Sequence, residues 1–223
     1  MNEERRPRRP ATPATKAIII AIFAGLAVEI LTAAWSSPQL LRIFGANLPM
    51  AVLQASGEYW RLLTSMFLHG DGTPAGTLLH LAVNLVALFQ LGTIYEMMFG
   101  SRRFVIIYFA AGIIASITSA LNLDLYGSSV GASGAIAGIL GALISSIFRS
   151  PKFRHNKAAR GLVGQCVFWI IVNVAIASQM QGIDHFAHAG GLLAGLLLGA
   201  LLPHRPPPPP TPGEAVIDVQ PYD

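Results

Sequence analysis

Apolar positions in this chain gather into long runs rather than alternating or recurring on one helical stripe. Six runs reach about 18 residues or more, the length needed to cross a bilayer core. They cover roughly Ala17–Trp35, Leu78–Met98, Phe104–Leu121, Val130–Phe148, Leu162–Ser178 and His185–Leu202. The first is longer than the apolar core of a cleavable signal peptide, and no clear small-residue cleavage site follows it, so it reads as a span. The pattern predicts an all-α polytopic membrane protein with six transmembrane helices. Between the first two runs, Ser36 to about Thr77 is too polar to span, yet it is rich in Leu, Ile, Phe, Met and Trp. Such a loop is expected to lie in the interface or dip into it, which makes it a membrane-embedded first outer loop. The final stretch "HRPPPPPTPGEAVIDVQPYD" is proline-rich and polar and reads as an extended, disordered tail.

Composition agrees with this class. The 223 residues are 53% hydrophobic and 12% charged, against about 25% charged in soluble domains. The lone cysteine, Cys166, has no partner for an intramolecular disulfide and reads as a small buried hydrophobe. A pI near 9.6 would suggest nucleic acid in a soluble protein, but here the basic residues follow topology. Arg5, Arg6, Arg8, Arg9 and Lys16 precede the first span, and Arg102 and Arg103 follow the second. Arg149, Lys152, Arg154, Lys157 and Arg160 follow the fourth, and Arg205 follows the sixth. Thirteen of the fifteen basic residues therefore fall on one side, leaving Arg42 and Arg61 on the other. The positive-inside rule makes that side cytoplasmic, with both termini there and no nucleic-acid partner expected. The domains are then a basic tail over 1–16, a membrane domain over 17–203 and the proline-rich tail over 204–223.

Polar groups inside spans are costly and are functional candidates by default. They are Glu29, His80, Asn84, Glu96, Ser133, Asp184, His185 and His188. Spans two, four and six run from outside to inside, and His80, Ser133 and His188 each lie near the start of one. Ser133 precedes Arg149 by 16 residues and His188 precedes Arg205 by 17. At about 1.5 Å per residue both sit about 25 Å above the inner charges. His80, with Asn84 one turn below it on the same face, reaches a similar level. A serine needs a base to become nucleophilic, histidine can be that base, and an oxyanion needs donors. His80, Asn84 and a backbone N–H near Ser133 are such donors, and Gly131 leaves room for a carbonyl. No carboxylate is clearly placed to orient a histidine, Asp184 being a weak candidate at the interface. On the residues alone, Ser133 among its glycines reads equally as helix packing, and spacing does not choose between His185 and His188. Gly191, Gly195 and Gly199 repeat at four residues and form a close-packing face.

The motifs that carry these residues resemble the rhomboid family of intramembrane serine proteases, in order, over about residues 17 to 202. Trp60-Arg61 is similar to the family's outer-loop pair, and His80-Leu-Ala-Val-Asn84 to its His-x-x-x-Asn pattern. Gly92-x-x-x-Glu96-x-x-x-Gly100, Gly131-Ala132-Ser133-Gly134 and Ala187-His188-Ala189-Gly190-Gly191 resemble its further motifs. The resemblance implies that 17–203 is a six-span rhomboid-like protease domain with Ser133 as nucleophile and His188 as general base. It implies an oxyanion and substrate-binding set of Asn84, His80, Gly131 and the Ser133 N–H. Trp60, Arg61, Glu96, Gly191 and Gly195 are then structural. No metal and no cofactor is expected. The implied activity is hydrolysis of single-pass membrane proteins near the outer face, with substrate entering sideways from lipid. The alternative is a non-catalytic rhomboid-like protein that binds membrane helices, although such proteins usually lose the Ser or the His. A transporter would spread ionisable groups along a path, whereas these gather at one level. The short basic leader favours a bacterial plasma (inner) membrane. Two departures stand out. The histidine that members often carry about five before the His80 position is here His69, eleven before, with "GDGTPAG" inserted. Ala137 stands where many members have an aromatic residue against the catalytic histidine.

Overall fold

The computed structural model describes residues 12–35, 45–55, 57–70, 73–124, 127–177 and 183–203. Most of the basic leader, Arg42 and the proline-rich tail lie outside the described residues. Among the described residues six long helices carry the fold: α1 Pro13–Trp35, α2 Pro74–Phe99, α3 Ser101–Asn122, α4 Ser133–Arg149, α5 Lys157–Ala177 and α6 His185–Leu201. Among the described residues the only β-type pairing is one isolated antiparallel bridge, Asn47 with Ser129. Three helices among the described residues are long and apolar enough to cross a membrane, α1 over Pro13–Ala34, α2 and α3, while α4 and α6 are apolar but 17 residues long. The chain is an integral membrane protein. The described part of the first outer loop is built from short turns: a π-helical turn over Met50–Ala55, one α-turn over Arg61–Thr64 and a 3-10 turn over Ser65–Phe67.

Several boundaries differ from the sequence pattern, each for a local reason. Helix α1 begins at Pro13 rather than Ala17, so the last residues assigned to the basic tail are helical. Proline suits a first helical position because its missing N–H would be unpaired there anyway. Helix α2 begins at Pro74, four residues before the apolar run, with the Thr73 side chain accepting from the Gly76 N–H at 3.1 Å. The second half of the inserted "GDGTPAG" is therefore an extra capped turn of α2. Helix α4 begins at Ser133, not at Val130.

The core lies around α4. Ile139, Leu143 and Ile147 of α4 join Tyr95 and Leu88 of α2 and Phe104, Ile107 and Tyr108 of α3 in one buried cluster. Helices α4 and α6 meet along a seam of glycines. A Cβ on Gly191 would drive into the Gly134 carbonyl, one on Gly195 into that of Gly138, and one on Gly199 into that of Ala142. Backbones come this close only where neither helix has a side chain between them. The exposed face of α2, with Leu78, Leu79, Val83, Val86 and Phe89, is apolar and suited to lipid.

Candidate active site

The entry to α4 is tied to the outer loop by backbone hydrogen bonds. Asn47 and Ser129 exchange N–H···O bonds of 3.0 Å in both directions, and the Gly131 N–H donates to the Ser65 carbonyl at 2.8 Å. The Asn47 side-chain amide donates to the Ser116 carbonyl of α3 at 2.8 Å. Gly131 takes φ +107°, a left-handed value that a side chain strains. The turn it makes delivers Ser133 as the first residue of α4. The first N–H groups of a helix have no intrahelical acceptor, and the macrodipole adds partial positive charge there. Ser133 therefore presents its hydroxyl beside donors that favour a developing anion.

Close approaches on both sides of Ser133 bring three helices together. Two residues before it, a Cβ on Gly131 would lie 2.7 Å from the His80 Cε1 and Nε2 and 3.4 Å from the Asn84 Nδ2. One residue after it, a Cβ on Gly134 would lie 3.4 Å from the Ala187 carbonyl oxygen, next to His188. His188 and His80 are near enough to interact electrostatically. The two candidate bases separate by environment, since His188 is half-buried and His185 exposed. Asp184 is used otherwise than as a histidine orienter. It is the N-cap of α6, its Oδ1 accepting from the Ala187 N–H at 2.9 Å. Among the described residues no hydrogen bond joins the Ser133 hydroxyl to the His188 ring. Catalytic contacts are often loose without substrate and tighten in its complex.

One side chain in this group is out of line with ordinary packing. Asn84 is buried, and its amide Nδ2 has no hydrogen-bond partner. Leaving a buried donor unpaired costs about 1–3 kcal/mol, so such a group calls for a functional explanation. Ser133 borders a small cavity of about 10 Å³, lined also by Ser65, Ser116, Ser129, Gly131 and Ala187 among others. Its size is that of about one water molecule.

The remaining residues singled out by sequence lie outside this cluster or on the helix seam that packs behind it. Trp60 is exposed, at 54%. Arg61 is buried, paired with Glu58 and donating from Nη1 to the Ala46 carbonyl at 3.1 Å, which ties the loop to itself. Glu96 lies at the other end of α2, where its carboxylate accepts from the Ala14 N–H, the Thr15 N–H and hydroxyl, and the Ser101 hydroxyl. Gly191 and Gly195 lie on the α4–α6 seam. Three participants are new. Asn47 and Ser65 hold the loop before Ser133, and His69 is fully buried with its ring 5.2 Å from that of His80. Nothing in sequence spacing marks the first two, because their contacts are long-range and use backbone atoms. His69 was visible only as a displaced histidine. Among the described residues, no group of three or more His, Cys, Asp or Glu side chains is placed to hold a metal ion.

The chain has known relatives. A family model described as "Rhomboid domain" matches residues 56–205. The chain is 38% identical over 167 residues to "Rhomboid protease GluP" of Bacillus subtilis (strain 168), covering 75% of this chain and 30% of that protein. It is 39% identical over 149 residues to "RHOMBOID-like protein 6, mitochondrial" of Arabidopsis thaliana, covering 67% and 45%. It is 34% identical over 189 residues to "Rhomboid protease AarA" of Providencia stuartii, covering 74% and 64%. The chain thus spans less than two thirds of each of these relatives' length.

Proposed function

The chain belongs to the rhomboid family, and from that premise we propose that it is an intramembrane serine endopeptidase working through a Ser133–His188 dyad. Ser133 Oγ attacks the scissile carbonyl carbon while His188 takes the hydroxyl proton. The oxyanion that forms is met by the Asn84 amide, the His80 ring and the Ser133 N–H. As the C–N bond breaks, His188 returns the proton to the leaving amine and an acyl-enzyme remains. Water then attacks the acyl carbon and gives its proton to His188; as the acyl C–O bond breaks, His188 returns that proton to Ser133 Oγ and the carboxylic acid product leaves. The water-sized cavity beside Ser133 suits that second half-reaction.

The observation that carries this reading is the buried, unpaired Asn84 amide beside Gly131, at the N-terminus of the helix that starts with Ser133. A purely structural asparagine has no reason to leave its donor empty, whereas an oxyanion hole requires an empty donor. The six long helices are read as six spans with both termini cytoplasmic, which the split of basic residues supports. At about 1.5 Å per residue, the 17 residues of α4 and α6 extend about 25 Å, short of a core of about 30 Å. This supports a site just below the outer surface of the membrane, which the short basic leader suggests is a bacterial plasma membrane. The substrates are single-pass membrane proteins that enter from lipid and unwind locally, because a helical peptide bond has its carbonyl engaged. The deciding experiment is a cleavage screen of single-span proteins with purified, detergent-washed protein. Ser133→Ala and His188→Ala are each expected to lower turnover by on the order of 10⁴-fold or more while the protein stays folded. Undiminished cleavage by Ser133→Ala would discard the dyad.

A further inference from the structure

We propose that Glu29 and His69 are positioning residues for His80, so that helix α1, remote in sequence from the site, sets the geometry of one oxyanion donor. The proposal rests on the reading of His80 as such a donor. Three contacts in series carry it. The Glu29 carboxylate on α1 accepts from the His69 N–H at 3.0 and 3.2 Å and from the Gly70 N–H at 2.9 Å. The His69 ring packs against that of His80 in a tilted contact, with centroids 5.2 Å apart and planes at 56°. The His80 ring lies against the Gly131 backbone, within 2.7 Å of where a Cβ would stand. His80 therefore meets both the His69 ring and the turn that carries Ser133.

His69 is poorly explained as ordinary core. It is fully buried, yet neither ring nitrogen makes a well-formed hydrogen bond, the Phe67 backbone giving only a weak polar contact. A polar ring in that state is worse for stability than an apolar side chain of the same shape. What the ring does supply is a rigid aromatic neighbour packed against His80. The inserted turn explains the need for a clamp. Because α2 is extended outward to Pro74, His69 lies in the loop and must be brought back to His80 from outside the helix. The strand of loop that does so is pinned to α1 twice. The Phe67 carbonyl oxygen lies 2.5 Å from where a Cβ on Gly25 would stand, and Glu29 holds the next two N–H groups after Leu68. Glu29 also gains a role as an ionisable group in a span, since such groups are costly and are retained for a reason.

The test is a double-mutant cycle on the full chain. kcat and KM, and the rate at which a fluorophosphonate labels Ser133, are measured for wild type, His69→Ala, His69→Phe and Glu29→Ala, each alone and combined with His80→Ala. His69→Ala and Glu29→Ala are expected to lower kcat about 10-fold with KM within about 2-fold, since a slightly misplaced oxyanion donor weakens only the transition state. His69→Phe, which keeps the flat ring, should recover most of the loss. In the His80→Ala background all three should change neither kcat nor the labelling rate by more than about 2-fold, because there is no donor left to position. Equal fold-losses with and without His80, or folded single variants with wild-type kcat, overturn the proposal. If His69→Ala does not fold, Glu29→Ala and His69→Phe give the same decision. If wild type shows no Ser133-dependent cleavage at all, the protease reading itself fails; if it cleaves and the cycle is additive, only the positioning role fails.

Discussion

Helix α2 carries two buried polar side chains, Asn84 and Glu96, which are twelve residues and about 18 Å apart. They are treated in opposite ways. Around Glu96 every acceptor is used: two backbone N–H groups from the start of α1 and hydroxyls from Thr15 and Ser101 converge on one carboxylate. Nearby, Tyr95 bonds Ser146 at 3.1 Å, and Arg103 donates to the carbonyls of Gly199 and Leu202 at 3.4 and 3.3 Å. That end of the molecule ties α1, α2, α3, α4 and α6 together, with Arg103 Nε left as a buried donor without a hydrogen bond. Around Asn84 the accounts are left open, with its own donor empty, both His69 nitrogens poorly served and a cavity beside Ser133. A buried polar group is tolerated to complete a network or to serve a reaction; Glu96 completes a network, and the unpaired Asn84 fits the proposed role in the reaction.

Exchanging the test between the two ends gives the largest contrast. Asn84→Ala is expected to lower kcat by about 10²–10³-fold, the cost of one oxyanion donor, with thermal stability unchanged or slightly raised. Glu96→Ala should do the reverse. It strands four donors, two of them on buried Thr15 and two half-buried, and should cost about 2–4 kcal/mol of stability, while the folded fraction keeps its turnover. Parallel measurement of Tm and of kcat per folded molecule separates the two, and equal losses on both axes would dissolve the contrast.

A change on the seam should affect both ends together. Gly195→Ala puts a methyl into the Gly138 carbonyl, and backbone cannot move aside as a flexible side chain can. A loss of about 3 kcal/mol is expected. Activity should fall with it, because α6 carries His188 and α4 carries Ser133.

The smallest effect is one of pH, and it belongs to the open end. Burial pushes the His69 imidazole down to about 4, with the neighbouring His80 adding to the effect and the Phe67 backbone partly offsetting it. Its ordinary value is about 6.5. The folded state then binds fewer protons than the unfolded state between these values, so stability is full above about 6.5 and falls as pH drops towards 4. About 2 kcal/mol should be lost by pH 5. Glu29, His80 and His188 are the other titratable groups facing this region. Unfolding in detergent at pH 7.5 and 5 should show the slope, and His69→Phe should flatten it. An unchanged slope would assign the acid sensitivity to those other groups.

Sequence alone went far here because a bilayer imposes lengths and costs that are visible one residue at a time. Apolar run length shows where helices cross, Lys and Arg show which way they run, and a polar residue within a run is expensive enough to stand out. The i, i+4 spacing of His80 and Asn84, the Gly-Ala-Ser-Gly cluster and the Gly191/195/199 repeat are local patterns, so they too could be read directly. They led to the rhomboid family. Tertiary structure decided what depends on atoms far apart in the chain. That α4 starts at Ser133 follows from hydrogen bonds between its entry turn and Asn47 and Ser65 of the outer loop. That Glu29 holds the loop joins residues forty positions apart. That Asn84 is left unpaired while Glu96 is saturated depends on which neighbours each meets. A burial cost belongs to a residue and can be read from sequence; the partner that relieves it, or fails to, belongs to the packing.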